Sequence, residues 1–146
     1  MKLRALELDD AKEAARVLRA SFDERLPWLA GLHTPDEDVR FFRHQVLPGS
    51  QAYGAFDDVR LIGIIAFREG WIDHLYVLPN AQRRGIGAAL LAVATSAWPD
   101  LSLWTFQRNV GARNFYERHG FIAVEETDGS LNEEKEPDVR YRWRRP

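Results

Sequence analysis

The stretch Gln82-Arg83-Arg84-Gly85-Ile86-Gly87-Ala88 carries the strongest chemical signal in the chain. Two glycines one residue apart remove the Cβ atoms that would keep a ligand away from the backbone. Where such a stretch opens a helix, unpaired N–H groups and a partial positive charge favour phosphate or pyrophosphate. By themselves, the glycines serve a tightly packed strand–helix turn equally well. Three phosphate-binding patterns compete for the segment. A P-loop needs Gly-x-x-x-x-Gly-Lys-Ser/Thr, and no such run exists. A dinucleotide fingerprint needs Gly-x-Gly-x-x-Gly, but Leu90 stands at the third glycine position. The third pattern, Arg/Gln-x-x-Gly-x-Gly/Ala, fits in full.

Other chemistry-bearing residues flank this stretch. Asp73 and His74 lie four and three residues before Val77, and Trp71 lies two before Asp73. Period-two alternation along a strand puts Asp73 on one face with Trp71, Leu75 and Val77, and His74 on the other with Tyr76. A polar pair hydrogen-bonded at a sheet surface is the plainer reading of Asp73 and His74. Upstream, Phe22 to His33 holds Asp23, Glu24, Trp28 and His33; most of it reads as a solvated connection with Trp28 and Leu32 tucked into the core. His33, His44, His74 and His119 show no metal-binding spacing, and no Gly-x-Ser-x-Gly elbow occurs. The expectation is therefore no metal.

The elements that must position these residues are legible from periodicity and punctuation. A short strand over residues 3–8 leads to a helix in which Asp10 and Glu13 form a capping box, and Pro27 stops it. Thr34, Pro35 and Glu37 mark a second helix start, with Val39, Phe42 and Val46 on its inner face and Pro48-Gly49 at its end. Strands over 51–56, 60–67 and 71–77 are separated by short turns and predict an antiparallel meander. The uninterrupted apolar run Leu61-Ile62-Gly63-Ile64-Ile65 is that of a strand buried on both faces. A helix over 84–98, a strand over 101–105, a helix over 110–119 capped by Gly120, and strands over 121–126 and 139–143 complete the chain. The order is β-α-α-β-β-β-α-β-α-β-β, an α/β fold with a mixed, mostly antiparallel sheet of about seven strands and helices on both faces. Arg140, Arg142 and Arg144 share one strand face and are expected to pair with the acidic stretch at 133–136.

Composition narrows the function classes. The 146 residues suit one domain, residues 1–146. Lys+Arg number 20 against Asp+Glu 22, a net charge of -2 that gives no electrostatic case for nucleic acid or an anionic membrane surface. No apolar run approaches the ~18 residues of a membrane span, and no apolar leader follows Met1. There is no cysteine, which excludes disulfides, thiolate-bound zinc and a cysteine nucleophile, and fits a reducing, cytoplasmic setting.

The ordered segments Leu75-Tyr76-Val77-Leu78-Pro79 and Gln82 to Gly87, followed by Asn109-Val110-Gly111-Ala112-Arg113-Asn114-Phe115-Tyr116-Glu117-Arg118-His119-Gly120-Phe121, resemble the GNAT superfamily of acyl-CoA-dependent N-acyltransferases. The second segment resembles that family's Asn-x-x-Ala-x-x-Phe-Tyr-x-x-x-Gly-Phe pattern, and the resemblance covers nearly the whole chain. It implies acetyl-CoA as cosubstrate. Backbone groups of Leu75, Val77, Gln82, Arg83, Arg84, Gly85, Ile86, Gly87 and Ala88 would hold pantetheine and pyrophosphate. Asn109 would bond the pantetheine arm, and Tyr116 would face the thioester sulfur. It also implies an acidic base four residues before Val77, which ranks Asp73 first and His74 second. Trp28, His33 and Trp71 are the candidates for lining the acceptor pocket.

The chemistry gives these roles a reason. An amine with pKa near ~10.4 must lose a proton before it attacks a thioester. A tyrosine, with pKa near ~10, can donate to a departing thiolate while itself protonated at pH 7. Without cysteine there is no acyl-enzyme thioester, so transfer is expected to be direct, within a ternary complex. The acceptor is expected to be a primary amine of a small molecule or peptide; oligomeric state, a homodimer included, is left open. The rivals are a non-catalytic acyl-CoA-binding regulatory module, which would not need Tyr116 or a base at the thioester, and a nucleotide-binding α/β domain with a parallel sheet.

Overall fold

The computed structural model describes all 146 residues. Seven strands form one sheet in the order β1-β2-β3-β4-β5-β7-β6. They are β1 (Lys2–Ala5), β2 (Gln51–Asp57), β3 (Arg60–Arg68), β4 (Trp71–Val77), β5 (Asp100–Phe106), β6 (Ile122–Thr127) and β7 (Asp138–Arg144). All pairings are antiparallel except β4 with β5. The helices are α1 (Ala11–Arg25), α2 (Pro35–Phe41), α3 (Leu47–Gly49), α4 (Ile86–Ala97) and α5 (Val110–Arg118). A π-helical turn at Phe42–Val46 joins α2 to α3, so the second predicted helix runs on to Gly49 with a widened turn.

The core runs from Ala11 to Tyr141 and is densest around β3, whose residues Leu61 to Phe67 are all buried, as its unbroken apolar run predicts. Helix α1 packs on β3 and β4, while α4 packs on β2, β3 and β4. Gly63 lies against α4. A Cβ there would lie 3.1 Å from both Ile86 and Leu90, so a side chain would push the helix off the strand. Thr34 caps α2 as expected, its Oγ1 accepting from the Glu37 N–H while Glu37 accepts from the Thr34 N–H.

Three local expectations are corrected. The first capping box is formed by Glu7 and Asp10 around a 3₁₀ turn at Leu8–Asp10, not by Asp10 and Glu13. Arg4 holds the Asp10 carboxylate with both terminal nitrogens, which takes it out of a role at the start of α1. The C-terminal arginines do not pair with the 133–136 stretch: Arg142 and Arg144 reach Asp100, and Arg140 reaches Glu125 on β6. Register decides this, because β7 lies between β5 and β6 and each arginine meets the acid nearest on a neighbouring strand. Trp28 and Leu32 are not in the core; they are 49% and 43% exposed. No helix is long and apolar enough to cross a membrane.

The feature that positions the site is the meeting of β4 and β5. These parallel strands bridge at a single pair, Trp71 with Ser102, and then part. The hydrogen-bonding edge of β4 beyond Trp71 therefore faces an opening rather than another strand.

Candidate active site

A cavity of 1090 Å³ fills the opening between β4 and β5 and extends to the ends of α1, α4 and α5. Its lining joins residues that are far apart in sequence: Arg25, Asp73, His74, Leu75, Val77, Gln82, Asn109 and Tyr116 all border it. Of the phosphate-type loop, Gln82, Arg83, Gly85, Gly87 and Ala88 line the cavity. Arg84 points away to Asp57, at 3.6 Å, and Ile86 is buried in the core.

The backbone of β4 supplies the first polar contacts. The Leu78 N–H donates to the Ile62 carbonyl, which makes the even-numbered residues of β4 the hydrogen-bonded partners of β3. Leu75 and Val77 are the alternate residues, so their N–H and C=O groups point into the opening. The Val77 carbonyl already accepts from Gln82 Nε2, at 3.0 Å. A β-bulge falls at Asp73: Phe67 faces Ile72 and Ala66 faces His74, leaving Asp73 without a cross-strand partner and interrupting the simple alternation.

The loop after β4 is built for close approach. Gly85 has φ +77° and caps α4, a left-handed conformation that glycine adopts without penalty. Arg83 adopts φ +67° as a non-glycine residue, so the turn is held against its own preference. The first turn of α4 then presents N–H groups with no acidic side chain competing for them. Gly87 lets the Phe115 ring come within 3.4 Å of where its Cβ would stand, and so joins α4 to α5.

Asn109 caps α5, its Oδ1 accepting from the Ala112 N–H at 3.1 Å. Its Nδ2 makes no hydrogen bond within the protein. Tyr116, two helical turns further on, is buried against Phe115, Phe121 and Tyr141. Burial, and secondarily Tyr76, push its phenol above the ordinary value, so it is protonated at neutral pH. Its hydroxyl has no partner in the protein and borders the cavity. Burial likewise pushes Tyr76 up to about 12.

The two candidate bases have opposite surroundings. Asp73 is held by Arg68, whose Nε and Nη2 reach its two oxygens at 2.8 and 3.1 Å. His74 sits among Phe41, Phe42 and Tyr76, with ring centroids 5.5 to 6.0 Å away. Its Nδ1 is buried without a hydrogen-bond partner. Burial lowers its pKa to about 4 despite the opposing pull of Asp73, so the ring is neutral at physiological pH.

Trp28, His33 and Trp71 stand outside the cavity lining. Trp28 Nε1 donates to Glu136, with the Arg108 guanidinium over its ring at 5.0 Å. His33 Nε2 lies 2.7 Å from Glu133, and Trp71 lies under the Arg68 guanidinium at 5.7 Å. The first two thus dock the connection after α1 onto the β6–β7 loop. Arg25 and Phe115 are cavity residues that sequence reasoning did not single out. Phe115 stands in the Asn109 to Phe121 segment, but nothing in local spacing marks Arg25, which ends α1 and meets partners 57 and 84 positions away.

This architecture is that of a family of acyl-group transferases. The family model described as "Acetyltransferase (GNAT) domain" matches residues 48–123, just over half of the chain. The chain belongs to the GNAT acetyltransferase family. It is 36% identical over 88 residues to the peptidyl-lysine N-acetyltransferase YiaC of Escherichia coli (strain K12), a stretch spanning 60% of each protein. It is 34% identical over 80 residues to the uncharacterized N-acetyltransferase YafP of the same organism, over 55% of this chain and 51% of that one. The matches thus span about 60% or less of these relatives. In fold it is similar to apo YjaB from Escherichia coli, with TM-score 0.81, 19% identity and 99% and 98% of the two chains covered. It is also similar to the PaiA N-acetyltransferase from Thermoplasma acidophilum in complex with coenzyme A, with TM-score 0.73, 23% identity and 98% of each chain covered.

Proposed function

We propose that the chain is a single-domain N-acetyltransferase that moves an acetyl group from acetyl-CoA to a primary amine while both are bound. The observation that carries this reading is the opening at β4 and β5. There the free backbone edge at Leu75 and Val77, the unpaired Nδ2 of Asn109 and the unpaired Tyr116 hydroxyl border one cavity. An extended amide-bearing arm can pair with such an edge as another strand would. The glycine loop and the α4 N-terminus suit its pyrophosphate. PaiA, a protein of the same fold, is in complex with coenzyme A, which supports acetyl-CoA as the donor.

Bound there, acetyl-CoA supplies the thioester. An N–H of the free β4 edge donates to the thioester oxygen and stabilises charge as it develops. Tyr116, a phenol kept protonated by burial, directs its O–H at the sulfur and stabilises the departing thiolate by a hydrogen bond as the carbon–sulfur bond breaks. Asp73, oriented by Arg68, takes the amine proton through water. His74, neutral and with an unpartnered Nδ1, is the second acceptor. That Asp73 and His74 both border the cavity favours an enzyme over a non-catalytic binding module.

YiaC is by its name a peptidyl-lysine acetyltransferase, which makes a lysine side chain in a peptide the first acceptor to try. Trp28, His33 and Trp71 would act at most as outer walls of that acceptor site. The decisive measurement is calorimetric titration with acetyl-CoA, followed by initial rates of thiol release with both substrates varied. Binding and intersecting reciprocal plots are expected. Absence of binding at millimolar acetyl-CoA, or parallel plots, would overturn the reading.

A further inference from the structure

Arg25 is the last residue of α1, and its guanidinium reaches across the mouth of the cavity. Nη1 donates to Asn109 Oδ1 at 3.0 Å, and Nη2 donates to Gln82 Oε1 at 2.9 Å. The two acceptors stand on opposite lips: Gln82 follows β4, and Asn109 caps α5. Arg25 makes no ion pair, so its charge is answered only by two neutral amides. Gly111 leaves it room, since a Cβ there would lie 3.2 Å from Nη1.

From this we infer that Arg25 is a cofactor-positioning residue, a clamp that fixes how both lips present their amides to the acyl donor. The inference rests on the reading of the cleft as an acetyl-CoA site. An amide oxygen held by Arg25 forces the NH₂ of the same amide the other way. For Gln82 the consequence is visible: Nε2 is turned onto the Val77 carbonyl, which closes that carbonyl and leaves the Leu75 and Val77 N–H groups as the donors of the free edge. For Asn109, Oδ1 is taken twice, by Arg25 and by the Ala112 N–H, so only Nδ2 is left to meet a ligand. A cleft whose lips offer donors selects a ligand rich in carbonyl and phosphate oxygens. The planar fork matters as much as the charge, because one ammonium cannot reach both oxygens in fixed directions.

The test compares wild type, Arg25→Met, Arg25→Lys and Asn109→Asp by calorimetric titration with acetyl-CoA, steady-state kinetics and thermal unfolding. Arg25→Met is expected to weaken acetyl-CoA binding by about ten-fold, the size of one or two misdirected hydrogen bonds, and to raise KM more than it lowers kcat. Arg25→Lys, which keeps the charge without the fork, is expected to fall with Arg25→Met. Asn109→Asp keeps the helix cap and gains an ion pair with Arg25 but has no N–H to offer. It is expected to unfold at a higher temperature than wild type and yet bind acetyl-CoA at least as weakly as Arg25→Met. If wild type binds acetyl-CoA and Arg25→Met or Asn109→Asp binds equally well, the clamp is wrong. If Arg25→Lys restores wild-type affinity, charge alone suffices and the clamp is also wrong. Failure of wild type to bind at all would instead refute the underlying reading of the cleft.

Discussion

His74 is an imidazole enclosed by aromatic rings, and lowering the pH is the perturbation that reads its enclosure. In the unfolded chain it has a pKa near ~6.5; in the fold, burial lowers it to about 4. Between those values the unfolded state binds the proton and the folded state does not. Stability is therefore intact above the unfolded value and is lost as pH falls toward the folded one. At 1.36 kcal/mol per pKa unit, the loss between about pH 7.5 and about pH 4.5 is roughly 2–3 kcal/mol from this one residue. The measurement is urea unfolding of wild type and His74→Phe across that range. The carboxylates held low by partners, Asp10 by Arg4 and Asp100 by Arg142, also cost stability in acid, but they are common to both proteins and cancel in the difference. Phe suits the site because Phe41, Phe42 and Tyr76 already surround it. The variant is expected to gain on wild type steadily as pH falls, by about the amount above at the acid end. A stability difference that stays constant with pH would show that His74 titrates normally and that its enclosure has been misread.

Tyr116→Phe keeps the buried ring and removes the unpaired hydroxyl, so acetyl-CoA affinity should hold while turnover falls by about 10²-fold, the usual size of a lost hydrogen bond to a developing charge. Equal turnover at every pH would remove that role. Asp38→Asn should destabilise by about 2 kcal/mol in chemical denaturation, because Asp38 is 5% exposed and takes both Nε and Nη2 of Arg19 at 2.8 Å, and its loss leaves Arg19 only the longer contact to Asp23 at 3.3 Å as an ion pair. A loss under ~1 kcal/mol, the range of exposed pairs, would mean that solvent already reaches that ion pair.

Much of the fold follows from local chemistry. The Thr34-Pro35-Glu37 start of α2, the turn-separated meander of β2 to β4, the apolar run of β3 and the left-handed Gly120 after α5 are each set by neighbouring residues, and each stands where periodicity and capping place it. The β-bulge at Asp73 has no such local signature, whereas the π-helical turn at Phe42–Val46 runs directly into Pro48, which has no N–H to continue the α-helical ladder. The pairing of the C-terminal arginines was illegible for a related reason. Alternation says which face a side chain takes, but only strand order says which acid lies opposite.

The candidate site divides along the same line. Gln82 to Ala88 and Asn109 to Phe121 are contiguous segments whose residue types resemble an acyl-CoA-binding family, so the family, and the roles proposed for the loop, Asn109 and Tyr116, could be read from sequence. Three things were decided only by tertiary structure: the parting of β4 and β5 that frees the Leu75 and Val77 backbone, the burial that keeps His74 neutral, and the reach of Arg25 to both lips. Each depends on segments dozens of residues apart meeting at fixed distances. Hydrogen bonds and desolvation act over a few ångströms of space, whatever the separation along the chain.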